Sequence, residues 1–213
     1  MESLNLEKID SENMHKIYED WPNISKTYFE KDFEKIKVSN INHIIFVGMG
    51  GSGALGDIFS SILSKTNMHV CVVKGYNLPK TINKNTLVVT ISISGNTDET
   101  NTVLENASKL NCKLIAFSSG GKMEQFCKDN NIEFRKIDKF HSPRASFPSF
   151  LFSILNVLLP IIPIQEKDIQ ETIKKLEEVK KQISKEDLSE NNIAISLAKW
   201  ISNIPIIYFP WGL

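Results

Sequence analysis

Short apolar runs alternate with helical patterns through the middle of this chain. The runs of strand length are Ile41 to Val47, His69 to Val73, Thr86 to Ser92, Lys113 to Ser118 and Glu133 to Ile137. Helical spacing occurs at Gly53 to Ser64, Asp98 to Asn111, Lys122 to Asn130 and Ala145 to Leu159. Near-continuous apolar strands separated by helices are typical of a parallel sheet covered on both faces. The pattern therefore predicts an α/β fold, a three-layer α-β-α sandwich of flavodoxin-like type around a five-stranded parallel sheet.

Helical patterns flank this core on both sides. A helical N-terminal arm is predicted at Ser11 to Glu19 and Ile24 to Lys35, and a helical C-terminal extension at Glu166 to Ser184 and Asn191 to Asn203. The apolar run Pro205 to Phe209 then has the composition of a strand. We therefore expect three parts, namely an arm at residues 1–38, a central domain at 39–160 and the extension at 161–213.

One apolar stretch, Phe147 to Ile164, has about the length of a membrane span. It contains Pro148, Asn156, Pro160 and Pro163. Proline near both ends favours a buried helix followed by an extended linker, because proline interrupts helical hydrogen bonding. The sequence therefore predicts no membrane partner.

The composition narrows the class of protein. Among 213 residues, 41% are hydrophobic, which is enough for a buried core, and 25 Lys plus Arg balance 25 Asp plus Glu. This balance argues against a nucleic-acid partner, because such proteins usually carry a basic excess. Cys71, Cys112 and Cys127 lie far apart and outside metal-ligand spacing. Together with an acidic N-terminus that lacks signal-peptide features, they predict a cytoplasmic protein with reduced thiols.

Two loops that follow predicted strands carry the candidate chemistry. The segment Ser92-Ile93-Ser94-Gly95-Asn96-Thr97, which we call the Ser-Thr loop, places three hydroxyls within six residues just before a predicted helix. A helix N-terminus offers partial positive charge and unpaired N–H groups, so hydroxyls gathered there can hold a phosphate. The other loop is Gly48-Met49-Gly50-Gly51-Ser52-Gly53, where glycines let the backbone approach a ligand and Ser52 can contact it.

Other interpretations of these loops remain open. Gly48-x-Gly50-x-x-Gly53 also matches a dinucleotide-binding fingerprint, which needs an acidic residue at the end of the next strand. That strand ends in Lys74 instead, and a lysine could accept a 2'-phosphate. The hydroxyls of the Ser-Thr loop could also do no more than cap a helix. His43 and His141 are interpreted as structural or solvated side chains, because a lone histidine near the end of a strand more often has one of these roles than a catalytic one.

The two loops, in this order and spacing, resemble the sugar isomerase (SIS) domain. Ser119-Gly120-Gly121 after the fourth predicted strand, and Ser142-Pro143-Arg144-Ala145 before the next helix, resemble the bifunctional phosphoglucose/phosphomannose isomerases. The resemblance runs from about Ile41 to Leu159 and more loosely to the end of the chain, where Pro205 to Tyr208 is similar to the first strand of that family's second domain.

The resemblance implies an activity and a set of site residues. The activity is reversible aldose-ketose isomerisation between glucose 6-phosphate or mannose 6-phosphate and fructose 6-phosphate, through an enediolate, with no metal or other cofactor. The implied partner is a hexose 6-phosphate. A homo-oligomer such as a dimer is expected on other grounds, because the apolar run at 205–209 and the apolar helix faces need cover. The implied roles are phosphate binding by Ser92, Ser94 and Thr97, sugar contact by Gly50, Gly51 and Ser52, and enediolate stabilisation by Arg144, which is held by Pro143.

The chain also departs from the family. The family's catalytic glutamate, its ring-opening histidine and a further lysine belong to the second domain, which would lie beyond Leu213. The chain alone is therefore expected to bind phosphosugar weakly and to catalyse little. Two alternatives stay open, a non-catalytic regulatory module that binds phosphosugars, and a single-domain isomerase whose base comes from a neighbouring subunit. The apolar segment at 205–209 would need a partner or a further domain to cover it.

Overall fold

The sheet has five parallel strands in the order β2-β1-β3-β4-β5, in a computed structural model that describes residues 10–202. The strands are β1 (His43–Val47), β2 (His69–Val73), β3 (Thr86–Ser92), β4 (Lys113–Ser118) and β5 (Glu133–Lys136). Every residue of β1 and β3 is buried, whereas β2 and β5 at the edges are partly exposed. The predicted parallel sheet is confirmed, with β1 and β3 buried along their whole length.

Contacts divide the described residues into two units. One unit is 27–165, which contains the sheet, and the other combines 10–26 with 166–202. The helices are α1 (Met14–Glu19), α2 (Trp21–Glu30), α3 (Gly50–Leu63), α4 (Asp98–Ala107), α5 (Gly121–Asp129), α6 (Phe147–Leu158), α7 (Glu166–Ile183) and α8 (Ile193–Ile201). The three-part division predicted at 1–38, 39–160 and 161–213 stays a prediction.

Alternate side chains of the central strands pack against helices on opposite faces of the sheet. Phe46 of β1 stacks on Phe59 of α3, with ring centroids 5.2 Å apart and planes 18° from parallel. Its neighbour Ile45 packs on the other side, in a cluster with Val103 and Ala107 of α4. Because strand side chains alternate in direction, this arrangement gives the sandwich with helices on both faces that the sequence predicted.

Helix α3 begins earlier than the sequence indicated. The prediction placed its start at Gly53, but the N–H groups of Ser52 and Gly53 already donate to the carbonyl of Met49, at 3.0 and 3.2 Å. Gly50, Gly51 and Ser52 therefore form the first turn of the helix and not a preceding loop. Glycines are poor helix formers, and this made the early start hard to predict.

Helix α2 was predicted at Ile24 to Lys35 but spans Trp21–Glu30. A buried side chain of α6 explains the early end, because the Asn156 amide donates to the carbonyls of Phe29 and Lys31. The N–H of Ile36 then donates to the carbonyl of Val157 at 2.9 Å. These contacts hold residues 31–36 along α6 in a non-helical conformation.

The other predicted helices are confirmed, with ends that differ from the prediction by up to four residues. Helix α6 begins at Phe147 and not at Ala145, with Pro148 in its first turn, where a missing N–H costs nothing. Helix α4 ends at Ala107 and not at Asn111. In the C-terminal extension, the Asn192 side chain caps α8 by accepting from the N–H groups of Ala194 and Ile195. The predicted strand at 205–209 lies outside the described residues.

Two further features concern membrane helices and cysteine chemistry. Between residues 10 and 202, no helix is both long and apolar enough to cross a membrane. Cys71, Cys112 and Cys127 are all free thiols. Burial raises the pKa of the Cys127 thiol to about 11, so this cysteine is a packing residue and a poor nucleophile at neutral pH.

A buried histidine at the amino end of β1 predicts a pH-dependent stability. His43 is 4% exposed, and its pKa lies below 6.5, chiefly because burial disfavours the charged ring. The His69 ring, with its centroid 4.6 Å from that of His43, lowers the pKa further by electrostatic repulsion. The unfolded chain binds a proton near pH 6.5 and the folded chain does not. The free energy of unfolding should therefore fall as the pH drops below about 6.5. Urea unfolding at pH 7.5 and 5.5 should show a larger loss for the unmodified chain than for His43→Phe; equal losses would contradict the prediction.

Candidate functional site

Glycine-rich turns follow three neighbouring strands at one edge of the sheet. They are residues 48–50 after β1, 93–97 after β3 and 119–121 after β4. Since ligands of open parallel sheets bind at the carboxyl ends of the strands, this edge is the candidate site. Two groups of predicted residues meet at this edge on adjacent strands: Gly50, Gly51 and Ser52 after β1, and Ser92, Ser94 and Thr97 after β3.

Hydroxyl groups of the Ser-Thr loop converge at the start of α4. The Oγ of Ser92 lies 3.0 Å from the Oγ1 of Thr97, and it accepts the N–H of Gly95 at 3.1 Å. The Oγ of Ser94 accepts the N–H of Asn96 at 3.2 Å. Thr97 occupies the N-cap position of α4, but its side chain makes no capping hydrogen bond. The interpretation of these hydroxyls as simple helix caps is therefore wrong, and the first turn of α4 keeps its capacity to bind an anion.

The N-terminus of α5 also faces the Ser-Thr loop, but two of its first amides are already bonded to the loop. The N–H of Lys122 donates to the side-chain Oδ1 of Asn96 at 3.0 Å, and the N–H of Met123 donates to the carbonyl of Gly95 at 3.0 Å. These bonds use two of the donors that α5 could have offered to a ligand. Of the two helix starts beside the loop, α4 therefore offers the better site for an anion.

Charged side chains at this edge are solvated. Asp98 and Glu99 lie in the first turn of α4, and the Nζ of Lys122 lies 3.5 Å from the Oδ1 of Asp98. The side chains of Lys122 and Asp98 are 72% and 75% exposed, so this ion pair contributes little. A phosphate here would be held mainly by hydroxyls and backbone amides, while the two carboxylates oppose it.

The turn after β1 leaves open space in front of its backbone. A Cβ built at Gly50 or Gly51 meets no atom within 4 Å. Ser52 is only 7% exposed, so this side chain lies deeper than the two glycines. The backbone of Gly50 and Gly51 is therefore the accessible part of this turn.

Lys74 is engaged in the structure. Its Nζ lies 2.7 Å from the Oδ2 of Asp57, and its side chain passes over Gly53. The dinucleotide interpretation required a group at the end of β2 that holds a ribose or its phosphate. With Lys74 paired to Asp57 on α3, this interpretation loses support.

Arg144 lies in a short turn between β5 and α6. The carbonyl of Ser142 accepts the N–H and the hydroxyl of Ser146, at 3.2 and 2.8 Å, and the Ser142 hydroxyl accepts the N–H of Ala145 at 3.2 Å. Pro143 and Arg144 are exposed at the tip of this turn. Because β5 is two strands from β3, the sheet does not itself bring Arg144 to the Ser-Thr loop. The catalytic role of Arg144 stays a prediction.

In the described part of the chain, neither a histidine nor a metal-binding cluster supports a function at this edge of the sheet. Across residues 10–202, no group of three or more His, Cys, Asp or Glu side chains could hold a metal ion. His43 is the first residue of β1 and so lies at the amino end of the sheet, opposite the candidate site. His141 is exposed, two residues before Pro143.

The strand order defines a flavodoxin-like α/β protein, and the hydroxyl-rich turns make the carboxyl edge of its sheet the candidate ligand site. The family is defined by sequence. The model of the SIS domain matches residues 37–155, more than half of the chain, so the chain belongs to the SIS domain family.

Curated relatives agree with this family. A bifunctional phosphoglucose/phosphomannose isomerase of Caldicellulosiruptor bescii is 32% identical over 202 residues, covering 92% of this chain and 57% of the relative. An enzyme with the same description from Aquifex aeolicus is 37% identical over 145 residues, covering 67% of this chain and 45% of the relative. The chain therefore spans about half the length of the curated relatives it matches.

Solved structures support the fold. A protein of Thermus thermophilus, described as hypothetical, matches with a TM-score of 0.61 at 16% identity, covering 92% of this chain and 50% of that one. Identity at this level shows a shared fold, and function has to be argued from the site.

Proposed function

We propose that this chain carries the phosphosugar-binding half of an aldose-ketose isomerase, which interconverts glucose 6-phosphate or mannose 6-phosphate with fructose 6-phosphate. The observation that carries the proposal is the pairing of the Ser92 and Thr97 hydroxyls at the uncapped start of α4. The family assignment and the names of the curated relatives support the substrate class.

In this proposal each part of the edge has one task. Ser92, Ser94, Thr97 and the first amides of α4 bind the phosphate, and Gly50, Gly51 and Ser52 contact the sugar. Arg144, with its turn stiffened by Pro143, stabilises negative charge on the enediolate. A fixed cation where charge develops is a large source of rate, on the order of a few kcal/mol per group. We assign no base for the C1–C2 proton transfer among residues 10–202.

The proposal extends to location and assembly. We propose a cytoplasmic protein that works as a homo-oligomer, such as a dimer. Three large apolar side chains on one helix support assembly, because Ile193, Leu197 and Trp200 of α8 are 64%, 55% and 67% exposed. Exposed apolar groups of this size commonly mark an interaction surface.

Removing one hydroxyl tests the phosphate site. Ser94→Ala should weaken binding of glucose 6-phosphate about 10-fold or more, because a hydrogen bond to a charged group contributes about 1.5–3 kcal/mol. Calorimetry on the 213-residue chain would measure it, with glucose as the ligand that lacks the phosphate. Ser108→Ala is the matched control, since the Ser108 hydroxyl donates to the carbonyl of Glu105 near the other end of α4. Equal affinity for glucose and glucose 6-phosphate would refute the proposal.

Turnover separates an isomerase from a binding module. A coupled assay with mannose 6-phosphate and fructose 6-phosphate would detect isomerisation. Activity that Arg144→Ala abolishes would mean that the chain, or its oligomer, supplies a base. Binding of glucose 6-phosphate without turnover would favour either a half-site that needs the rest of a longer protein or a regulatory module.

A further inference from the structure

The backbone of the Ser-Thr loop is bonded at one end by the turn that follows β4. The hydroxyl of Ser119 donates to the carbonyl of Ile93 at 2.7 Å, and the N–H of Ser119 donates to the same oxygen at 3.2 Å. Ser119 is half-buried and belongs to the Ser119-Gly120-Gly121 motif, to which the proposed function gives no task. Two donors of one residue, the hydroxyl and the N–H of Ser119, therefore fix the direction of the Ile93 carbonyl.

At its other end the loop is bonded by the first turn of α5. The Asn96 side chain accepts the N–H of Lys122, and the carbonyl of Gly95 accepts the N–H of Met123, each at 3.0 Å. The Asn101 side chain adds a donor from α4, with its Nδ2 3.2 Å from the Gly95 carbonyl. In all three hydrogen bonds the acceptor is an oxygen of the Ser-Thr loop, and two of the donors are backbone amides of α5.

The Ser-Thr loop and the β4–α5 turn also lie so close together that a side chain would not fit at Gly95 or Gly121. A Cβ at Gly95 would overlap the carbonyl oxygen of Gly120. A Cβ at Gly121 would lie 2.6 Å from the Oδ1 of Asn96 and 2.8 Å from the carbonyl oxygen of Ser94. The loop therefore lies directly on the β4–α5 turn, and a change in one must move the other.

The direction of these bonds determines what the loop offers to a ligand. In a trans peptide the C=O and N–H groups point in opposite directions. Because the carbonyl of Ile93 points at Ser119, the N–H of Ser94 points away from the β4–α5 turn. This side of the loop is the one left for a ligand, since α5 occupies the other.

We infer that the turn between β4 and α5 holds the Ser-Thr loop in the shape that binds phosphate, and that Ser119 and Asn96 are the positioning residues of this contact. The inference rests on the proposed function. Neither residue needs to touch the substrate, since Ser119 bonds to the Ile93 carbonyl and Asn96 bonds to the Lys122 amide on the side of the loop that faces α5. Rigid support of this kind raises affinity because less conformational freedom is lost on binding.

The test compares substrate affinity with stability in paired variants. Ser119→Ala and Asn96→Ala should each weaken glucose 6-phosphate binding about 3- to 10-fold, the range expected when one supporting hydrogen bond is lost. Their thermal midpoints should change no more than that of Ser108→Ala, which also loses a serine hydroxyl bonded to a backbone carbonyl. Ser119→Thr keeps the hydroxyl and should restore affinity, a rescue that a purely structural role would not require.

Amide hydrogen exchange adds a second measurement. In Asn96→Ala, exchange at the Lys122 amide should accelerate, because its acceptor is gone, while amides in β3 stay protected. Asn96 is exposed, so this variant should fold even where Ser119→Ala does not. Affinity unchanged in both variants, or lost equally in Ser108→Ala, would overturn the inference. If the unmodified chain fails to bind glucose 6-phosphate at all, the proposed function fails, and that result is distinguishable from failure of the positioning role.

Discussion

Gly95→Ala should destabilise the unit that contains the sheet by roughly 3–5 kcal/mol, at the upper end of single-residue effects. Gly95 has φ +71°, a conformation that alanine adopts only with strain. Its new methyl group would also overlap the carbonyl oxygen of Gly120, a backbone atom that cannot move aside by changing rotamer. Strain and overlap act together, so the Ser-Thr loop would have to separate from the β4–α5 turn. Urea unfolding followed by circular dichroism would measure the loss.

Two other glycines make the control series. Gly51→Ala meets no atom within 4 Å and should change stability by less than about 0.5 kcal/mol or improve it slightly, because alanine is the better helix former. Gly50→Ala is equally open but has φ +51°, so it should cost about 1 kcal/mol from backbone strain alone. The order Gly95, Gly50, Gly51 is the expected ranking of losses. If Gly95→Ala loses no more stability than Gly50→Ala, the Ser-Thr loop and the β4–α5 turn are not in contact.

These glycines also show where sequence reasoning ends. The sequence indicated that the backbone at Gly50 and Gly51 can come close to a ligand, and the structure leaves open space at both positions. Crowding between loops occurs at Gly95 and Gly121, which lie 26 residues apart in the segments that follow adjacent strands. Which loops contact each other depends on strand order and register, and a local sequence motif contains no information about either. The crowded glycines could be found only once the sheet was known.

The sheet itself was predictable because its signal is local and repeated. The apolar runs of β1 and β3 are buried along their whole length, as parallel strands between two layers of helices must be. The turns after them therefore fell at the carboxyl edge as expected, and with them the hydroxyls of Ser92 and Thr97. The motif could not show which helix start has its first amides bonded, because Asn96 and Gly95 accept the Lys122 and Met123 amides of α5, which follows a different strand.

Asn156 shows the same limit within α6. In the sequence it counted only as a polar residue against a membrane helix. In the structure it is 3% exposed, and its amide holds the carbonyls of Phe29 and Lys31 while its Oδ1 accepts from the Nζ of Lys35. The early end of α2 follows from these contacts, which join residues more than 120 positions apart. A helical pattern continued through Lys35, and a tertiary contact overrode it.

Asn156→Leu should therefore destabilise the same unit by about 2–4 kcal/mol, since leucine has a similar size but leaves the carbonyls of Phe29 and Lys31 without the amide that donates to them. The loss should be local at first, because residues 31–36 would detach from α6 before the sheet unfolds. Limited trypsin digestion should then cut faster after Lys31 and Lys35. Asn106→Leu is the matched control, an exposed position on α4 that should change stability by less than about 0.5 kcal/mol. Unchanged cleavage at Lys31 and Lys35 in Asn156→Leu would show that Ile36 and its neighbours hold the segment without the asparagine.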